Sequence, residues 1–386
     1  MPSHPSSRDL LRTLIGFPTV SRDSNLALIH FIRDYLADLG VESLLVPDGT
    51  GKKANLYATI GPADRPGICL SGHTDVVPVE DQDWSHDPFD LVERDGRLYG
   101  RGTADMKGFV AIALAWAPRF LAARLATPVH YAFSYDEEVG CIGVRGLLKK
   151  LEAMPVRPKA CVVGEPTSMT PVIAHKGKLS MRAHVHGLEG HSSMTQHGVN
   201  AVEYAAEMVA FLRALAREKR DQGPFDDGFD PPYTTVHTGT FAGGTALNII
   251  PNKAAVEFEF RHLPVDDPRE LFDRVERFVR EELEPEMKTV AAAAGFDFEE
   301  ITSFPGLAMQ EADPEVALVK ALSGANATGK VAFGTEAGLF QQAGIPAVIC
   351  GPGSIEQAHR PDEWISLDQM RRGERFMDRL IERLAA

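Results

Sequence analysis

Five short stretches of this sequence carry side chains able to do chemistry: SGHTDVVP at 71–78, RGTADMKG at 101–108, SYDEEVG at 134–140, VGEPT at 163–167 and GPGSIEQAHRPDE at 351–363. Each places a His, Asp or Glu just where an apolar run stops. In open α/β sheets that is where ligands bind, beyond the carboxyl ends of the strands. Taken singly, each has a plain reading. A lone His at a strand end is commonly hydrogen-bonded structure, Asp105 is an N-cap candidate, Glu137–Glu138 suits a solvated turn, and Glu165–Pro166 is a turn-like pair. Taken together, His73, His359, Asp75, Asp105, Glu137, Glu138 and Glu165 would crowd negative charge into one crevice. Close like charges raise one another's pKa values unless a cation neutralises them. His with carboxylates and no thiolate suits zinc, and cobalt or manganese less well. Two such ions about 3.5–4 Å apart polarise a carbonyl and activate water. One carboxylate must then stay free as general base, and adjacent Glu137 and Glu138 can divide these roles.

The elements that must position these groups fall into two textures. Helical periodicity covers 24–39, with Gly40 as its stop. Apolar runs at 56–60, 68–71, 129–135 and 160–164 read as strands, and 105–124 and 143–151 as helices. Strands alternating with helices predict an α/β layer with a largely parallel sheet. From about 176 to 306 the order changes: strand 178–187, helix 201–218, strands 234–241 and 254–261, helix 268–283 and strand 296–302. That is the ferredoxin-like order, in a compact inserted α+β domain. The α/β pattern resumes at 307 with helices 315–323 and 335–343, strand 347–350 and a closing helix from 367. The expected division is therefore 1–175 with 307–386, and 176–306.

The 386 residues suit two domains. Acidic residues outnumber basic ones, 54 to 40, which disfavours nucleic acid and anionic membranes as partners. No run approaches the ~20 apolar residues of a membrane helix. The start, MPSHPSSRDLLRTLIGF, lacks the features of a secretory signal. Cys69, Cys141, Cys161 and Cys350 are scattered, with no CxxC pair, and fit a reducing cytoplasm. No GxSxG elbow supports a serine amidase.

The five motifs, in this order and with an inserted domain, resemble the zinc amidohydrolase family that includes aminoacylases, glutamate carboxypeptidases, succinyl-diaminopimelate desuccinylases and acetylornithine deacetylases. The resemblance spans nearly the whole chain. It implies a zinc-peptidase-like α/β/α catalytic domain, an inserted dimerisation (lid) domain, a homodimer, and two zinc ions per subunit with cobalt as a substitute. His73, Asp105 and Glu165 would hold the first ion, with Asp75 orienting His73. Asp105 would bridge to the second, held also by Glu138 and His359. Glu137 resembles the general base, and the Asp105–Met106 peptide is expected to be cis.

In the inserted domain, GLEGHSS (187–193) resembles the segment whose His reaches the partner subunit's site, so His191 would steady the oxyanion; the alternative is a surface-loop His. Asn248 and Arg261 resemble substrate-binding residues, although Arg261 equally suits a structural ion pair. Gly334 and Thr335 open a helix able to hold a carboxylate, or simply cap it. Glu336 would face a substrate ammonium or serve as a first-turn residue. YDEEVGCIGVRG (135–146), FGTEAGLFQQAGIP (333–346) and GPGSIEQAHRPDEW (351–364) look most like acetylornithine deacetylases. That implies hydrolysis of N2-acetyl-L-ornithine to ornithine and acetate in arginine biosynthesis. Succinyl-diaminopimelate desuccinylase, a broader N-acyl-amino-acid amidohydrolase, and an inactive binding protein of the same fold are the alternatives.

Overall fold

Near-continuous apolar runs make strands buried on both faces, and four of them build the centre of the sheet that carries the site. Ile68–His73 pairs parallel with Val129–Ser134 on one side and with Ala160–Pro166 on the other, and Ala347–Gly351 continues parallel to Ala160–Pro166. Their carboxyl ends therefore share one edge. The computed structural model describes residues 4–385, so the reading of the extreme N terminus lies partly outside the described residues. The chain forms two compact units, one of residues 1–174, 307–329 and 335–386, the other of 175–306 and 330–334.

In the first unit the sheet is mixed, not largely parallel. Ala54–Ile60 runs antiparallel to Val129–Ser134, Ser43–Pro47 antiparallel to Ala54–Ile60, and Val172–His175 antiparallel to Ala347–Gly351. The turn 48–53 is too short for the crossover that a parallel pair requires. It is folded around Asp48, whose Oδ1 accepts the Lys52 and Lys53 N–H groups at 2.9 and 3.2 Å. Helix Lys107–Ala122 is buried along most of its length. It packs on the sheet and against helices Ser7–Ile15 and Leu367–Leu384. Helix Ser7–Ile15 begins with a capping box between Ser6 and Asp9. At its other end the buried Lys107 ammonium donates to the Leu14 and Phe17 carbonyls at 3.1 and 2.8 Å, a cation where the helix dipole favours one. A small sheet pairs Trp364–Ser366 with Arg97–Tyr99 and that strand with Val92–Arg94.

The second unit has the ferredoxin-like βαββαβ connectivity. Its sheet runs Thr235–Gly243, Lys253–His262, Gly177–His186, Gly295–Phe304, all neighbours antiparallel. Alternation sets the two faces. Leu179, Met181, Ala183 and Val185, with Val256, Phe258 and Phe260, face helices Ala201–Gln222 and Pro268–Phe278 in one core. Between these residues, Arg182 pairs with Glu257 and Glu299, and Lys178 with Glu259. The helix expected over 268–283 is instead interrupted by a π turn at Val279–Leu283 and resumes as Glu284–Val290. Pro285 lacks an N–H and its ring crowds the carbonyl four residues back, which opens the ladder there. Among the described residues no helix is long and apolar enough to cross a membrane, and all four cysteines are free and buried.

Candidate active site

His73 ends its strand with its ring 1% exposed. Nδ1 lies 2.9 Å from the Asp75 carbonyl, so Nδ1–H donates there. That leaves Nε2 pointing at the other motifs, 2.9 Å from Asp105 Oδ1 and 3.9 Å from Glu165 Oε1. Asp105 stands just before helix Lys107–Ala122, and its peptide to Met106 is cis. Its second oxygen lies 3.4 Å from His359 Nε2, which is 3.1 Å from Glu138 Oε2. The two oxygens of Asp105 thus face two different imidazoles, the arrangement a bridging carboxylate needs. Ligand atoms of His73, Glu137 and Glu165 fall within 4.8 Å of one another, as do those of His73, Asp105 and Glu138. Gly164, just before Glu165, leaves no room for a side chain, since a Cβ there would meet the Phe109 ring at 2.1 Å.

Asp75 orients the His73 ring through its backbone carbonyl, and its carboxylate makes further contacts. Its carboxylate is 3.6 Å from His73 Nδ1, further than its own carbonyl. It accepts instead from Ser21 Oγ at 2.7 Å and from the Glu137 and Glu138 N–H groups at 3.2 and 3.3 Å. Asp75 therefore holds the turn that presents both glutamates. Ser21 and Cys141, whose thiol donates to Glu137 Oε1 at 3.3 Å, are contacts that the sequence motifs did not single out. Both lie far in sequence, or on the other side of a turn, from the group they touch.

The electrostatics describe a site built for cations. Burial, reinforced by Glu138, Glu336 and Asp105 against the opposing His73, pushes Glu137 well above the usual carboxylate range. Burial and Asp105 do the same to Glu165, and burial with Asp105 lifts Glu138 to about 6. Burial alone would raise Asp105 too, but the His359 and His73 hydrogen bonds hold it below its ordinary value. The same contacts, to Asp105 and then Glu138, carry His359 up to about 10. Burial opposes a charge on His73, yet Asp105 and Glu165 raise it well above the usual imidazole range. Glu165 Oε1 is buried without a hydrogen-bond partner among the described residues. An orphaned carboxylate oxygen among oxygens and imidazole nitrogens is a donor set that fits divalent metal ions.

The sequence profile of peptidase family M20/M25/M40 matches residues 69–383. The chain belongs to that family. It is 34% identical to an acetylornithine deacetylase of Pasteurella multocida over 384 residues, covering 98% of this chain and 97% of that protein. It is 37% identical to an acetylornithine deacetylase of Yersinia pseudotuberculosis over 378 residues, covering 94% and 93%. Its fold is similar to the M20 metallo-carboxypeptidase of Sulfolobus solfataricus, with a TM-score of 0.78 at 17% identity over 98% and 99% of the two chains. It is also similar to aminopeptidase PepT of Bacillus cereus, with a TM-score of 0.73 at 20% identity over 98% of each chain. As an M20-family protein with deacetylase relatives it is a metal-dependent amidohydrolase.

Of the remaining candidate residues of this M20 chain, some belong to the first unit and some to the second. Thr335 is buried in the first unit, and its hydroxyl accepts the Ala337 N–H at 3.0 Å at the start of the short helix Ala337–Gln342. Glu336 is only 1% exposed and stands at the N-terminus of that helix. Ser71 Oγ donates to it at 3.4 Å, and burial lifts it to about 7. His191 and Asn248 are neighbours in the second unit, where Gly190–His191 pairs with Ile249–Ile250 and Ser192 N–H donates to the Asn248 carbonyl at 3.2 Å. His191 is exposed, with Nδ1 occupied by Ser193. Arg261 pairs with Glu259 at 2.9 Å, the structural partner that its sequence position left open. Gly334, also in the second unit, is fixed by packing, since a Cβ would meet the Phe304 ring at 2.0 Å.

Proposed function

We propose that this protein hydrolyses N2-acetyl-L-ornithine to L-ornithine and acetate in arginine biosynthesis, as a cytoplasmic homodimer with two zinc ions per subunit that cobalt can replace. The observation that carries the reading is the convergence of His73, Asp105, Glu138, Glu165 and His359, with Glu137 beside them, in a chain 34–37% identical to acetylornithine deacetylases along nearly its full length. His73 and Glu165 would hold one ion, Glu138 and His359 the other, and Asp105 both. When bound, the ions would supply Lewis acidity toward the amide carbonyl and a water acidic enough to react near neutral pH.

Glu137 is the general base. It takes one proton from the attacking water as the new C–O bond forms, then delivers it to the departing nitrogen as the C–N bond breaks. One water is consumed, and acetate and a free amine result. His191, contributed by the partner subunit, donates to the oxygen on which negative charge develops. Asn248, Gly334 and Thr335 contribute to substrate binding. Arg261 must exchange Glu259 for a substrate carboxylate, which its planar fork binds through both oxygens.

The test is the relative kcat/KM of the zinc-restored protein on N2-acetylornithine, N-succinyl-diaminopimelate and N-acetylmethionine. Preference for acetylornithine is the expected result. Preference for either of the others keeps the hydrolytic chemistry and discards the substrate.

A further inference from the structure

Arg101 and Glu363 form an ion pair at 2.7 Å with each side chain 1% exposed, and no step of the proposed chemistry uses either. Taking two charges out of water is costly unless every lone pair and proton finds a partner. Here both Glu363 oxygens and both Arg101 Nη groups find partners, while Arg101 Nε finds none among the described residues, and those partners lead to the candidate metal site. Glu363 Oε2 accepts from Arg101 Nη1 at 2.7 Å and from the Gly102 N–H at 3.0 Å. Its Oε1 accepts from the Ala104 and Asp105 N–H groups at 2.9 and 3.1 Å. The turn that carries Asp105 is therefore folded around a carboxylate from the far end of the loop that carries His359.

Arg101 closes the circuit from the other side. Its Nη2 donates to Gln82 Oε1 at 2.6 Å and its Nη1 to the Arg360 carbonyl at 3.3 Å, while Gln82 Nε2 donates to the His359 carbonyl at 3.0 Å. His359 itself holds a φ of 61°, a left-handed backbone that a His adopts seldom and that its surroundings must impose. The Asp105 turn and the His359 loop thus meet at the buried Arg101–Glu363 pair, and three of the four groups that Glu363 accepts from are N–H groups of that turn.

We propose that Glu363 is a positioning residue that, through Arg101 and Gln82, sets the separation of Asp105 from His359 and with it the affinity of the second metal position. This inference rests on the two-metal reading above. Glu363→Gln is the informative change, because it is nearly isosteric and yet its amide NH2 must face N–H donors whichever way it turns.

Zinc binding to the full-length, metal-stripped chain, followed by competition with a chelating dye, reads the effect without relying on turnover. The wild type should bind two ions. Glu363→Gln should weaken the second by about 10–100-fold and leave the first within about threefold, the scale on which groups behind metal ligands act. A wild type that binds two ions beside a Glu363→Gln that binds both as tightly overturns the proposal and leaves the two-metal reading intact. Parallel weakening of both ions, with a lowered melting temperature, also overturns it, since that is general destabilisation. A wild type that binds no second ion removes both claims. If Glu363→Gln fails to fold, Gln82→Ala decides instead: a several-fold loss confined to the second ion supports the junction, and unchanged binding of both ions contradicts it.

Discussion

In the proposed mechanism Glu137 is the side chain on which hydrolysis turns. Its carboxylate is buried among Glu138, Glu336 and Asp105 with His73 opposing them, and Cys141 donates to one of its oxygens. Glu137→Gln keeps the shape and one acceptor but cannot shuttle a proton. The expected outcome is a fall in kcat of about 10²–10⁴-fold with zinc per chain unchanged, checked by steady-state rates beside metal analysis of the same sample. Equal loss of metal and rate would instead make Glu137 a ligand. At this scale the candidate metal-binding groups were legible, because strand-end His, Asp and Glu recur in one chain and only a cation reconciles them. What the spacing hid was the partner of each group. Asp75 follows His73 by two residues, yet its carboxylate reaches across to the Glu137–Glu138 turn. Glu336 reads as a helix-start residue and is buried behind Ser71.

The elements that carry these groups were readable where burial leaves a continuous apolar run, as in the four parallel strands that end at the site. Strand direction was not, because it depends on which neighbour a strand chooses. Ser43–Pro47 is short and half-buried, so it gave little signal, and its turn makes the sheet mixed. In the second unit Pro285 was visible, but its consequence, a π turn in place of a smooth helix, required the packed context. One element makes a pH prediction. His130 lies in strand Val129–Ser134, stacked on Tyr57 with its Nδ1 3.0 Å from Thr59 Oγ1, and burial lowers its pKa to about 4. The unfolded chain takes up this proton at about pH 6.5, whereas the folded chain does so only near 4. Stability should be complete above the unfolded value and fall as the pH drops between the two, by up to about 1.4 kcal/mol per pH unit for this group. Urea midpoints across that window should show a shallower slope for His130→Gln than for the wild type; an identical slope would mean His130 is already protonated in the folded chain.

For the whole molecule, the two-unit organisation was visible as a change from alternating strands and helices to the βαββαβ order. The boundary residues follow from contacts, and 330–334 joins the second unit although it lies far along the chain from it. A homodimer in which His191 serves the partner's site makes a further prediction. Mixed Glu137→Ala and His191→Ala chains, each inactive alone, should recover part of the wild-type rate once their subunits have exchanged; no recovery after demonstrated exchange would assign His191 elsewhere. The most direct measurement is amine release from N2-acetylornithine by the metal-stripped protein, before and after zinc is returned. The predicted result is no release before and full release once zinc is restored. Release that is equal with and without metal, or none from a chain shown to hold its zinc, would contradict metal-dependent deacetylation at this site.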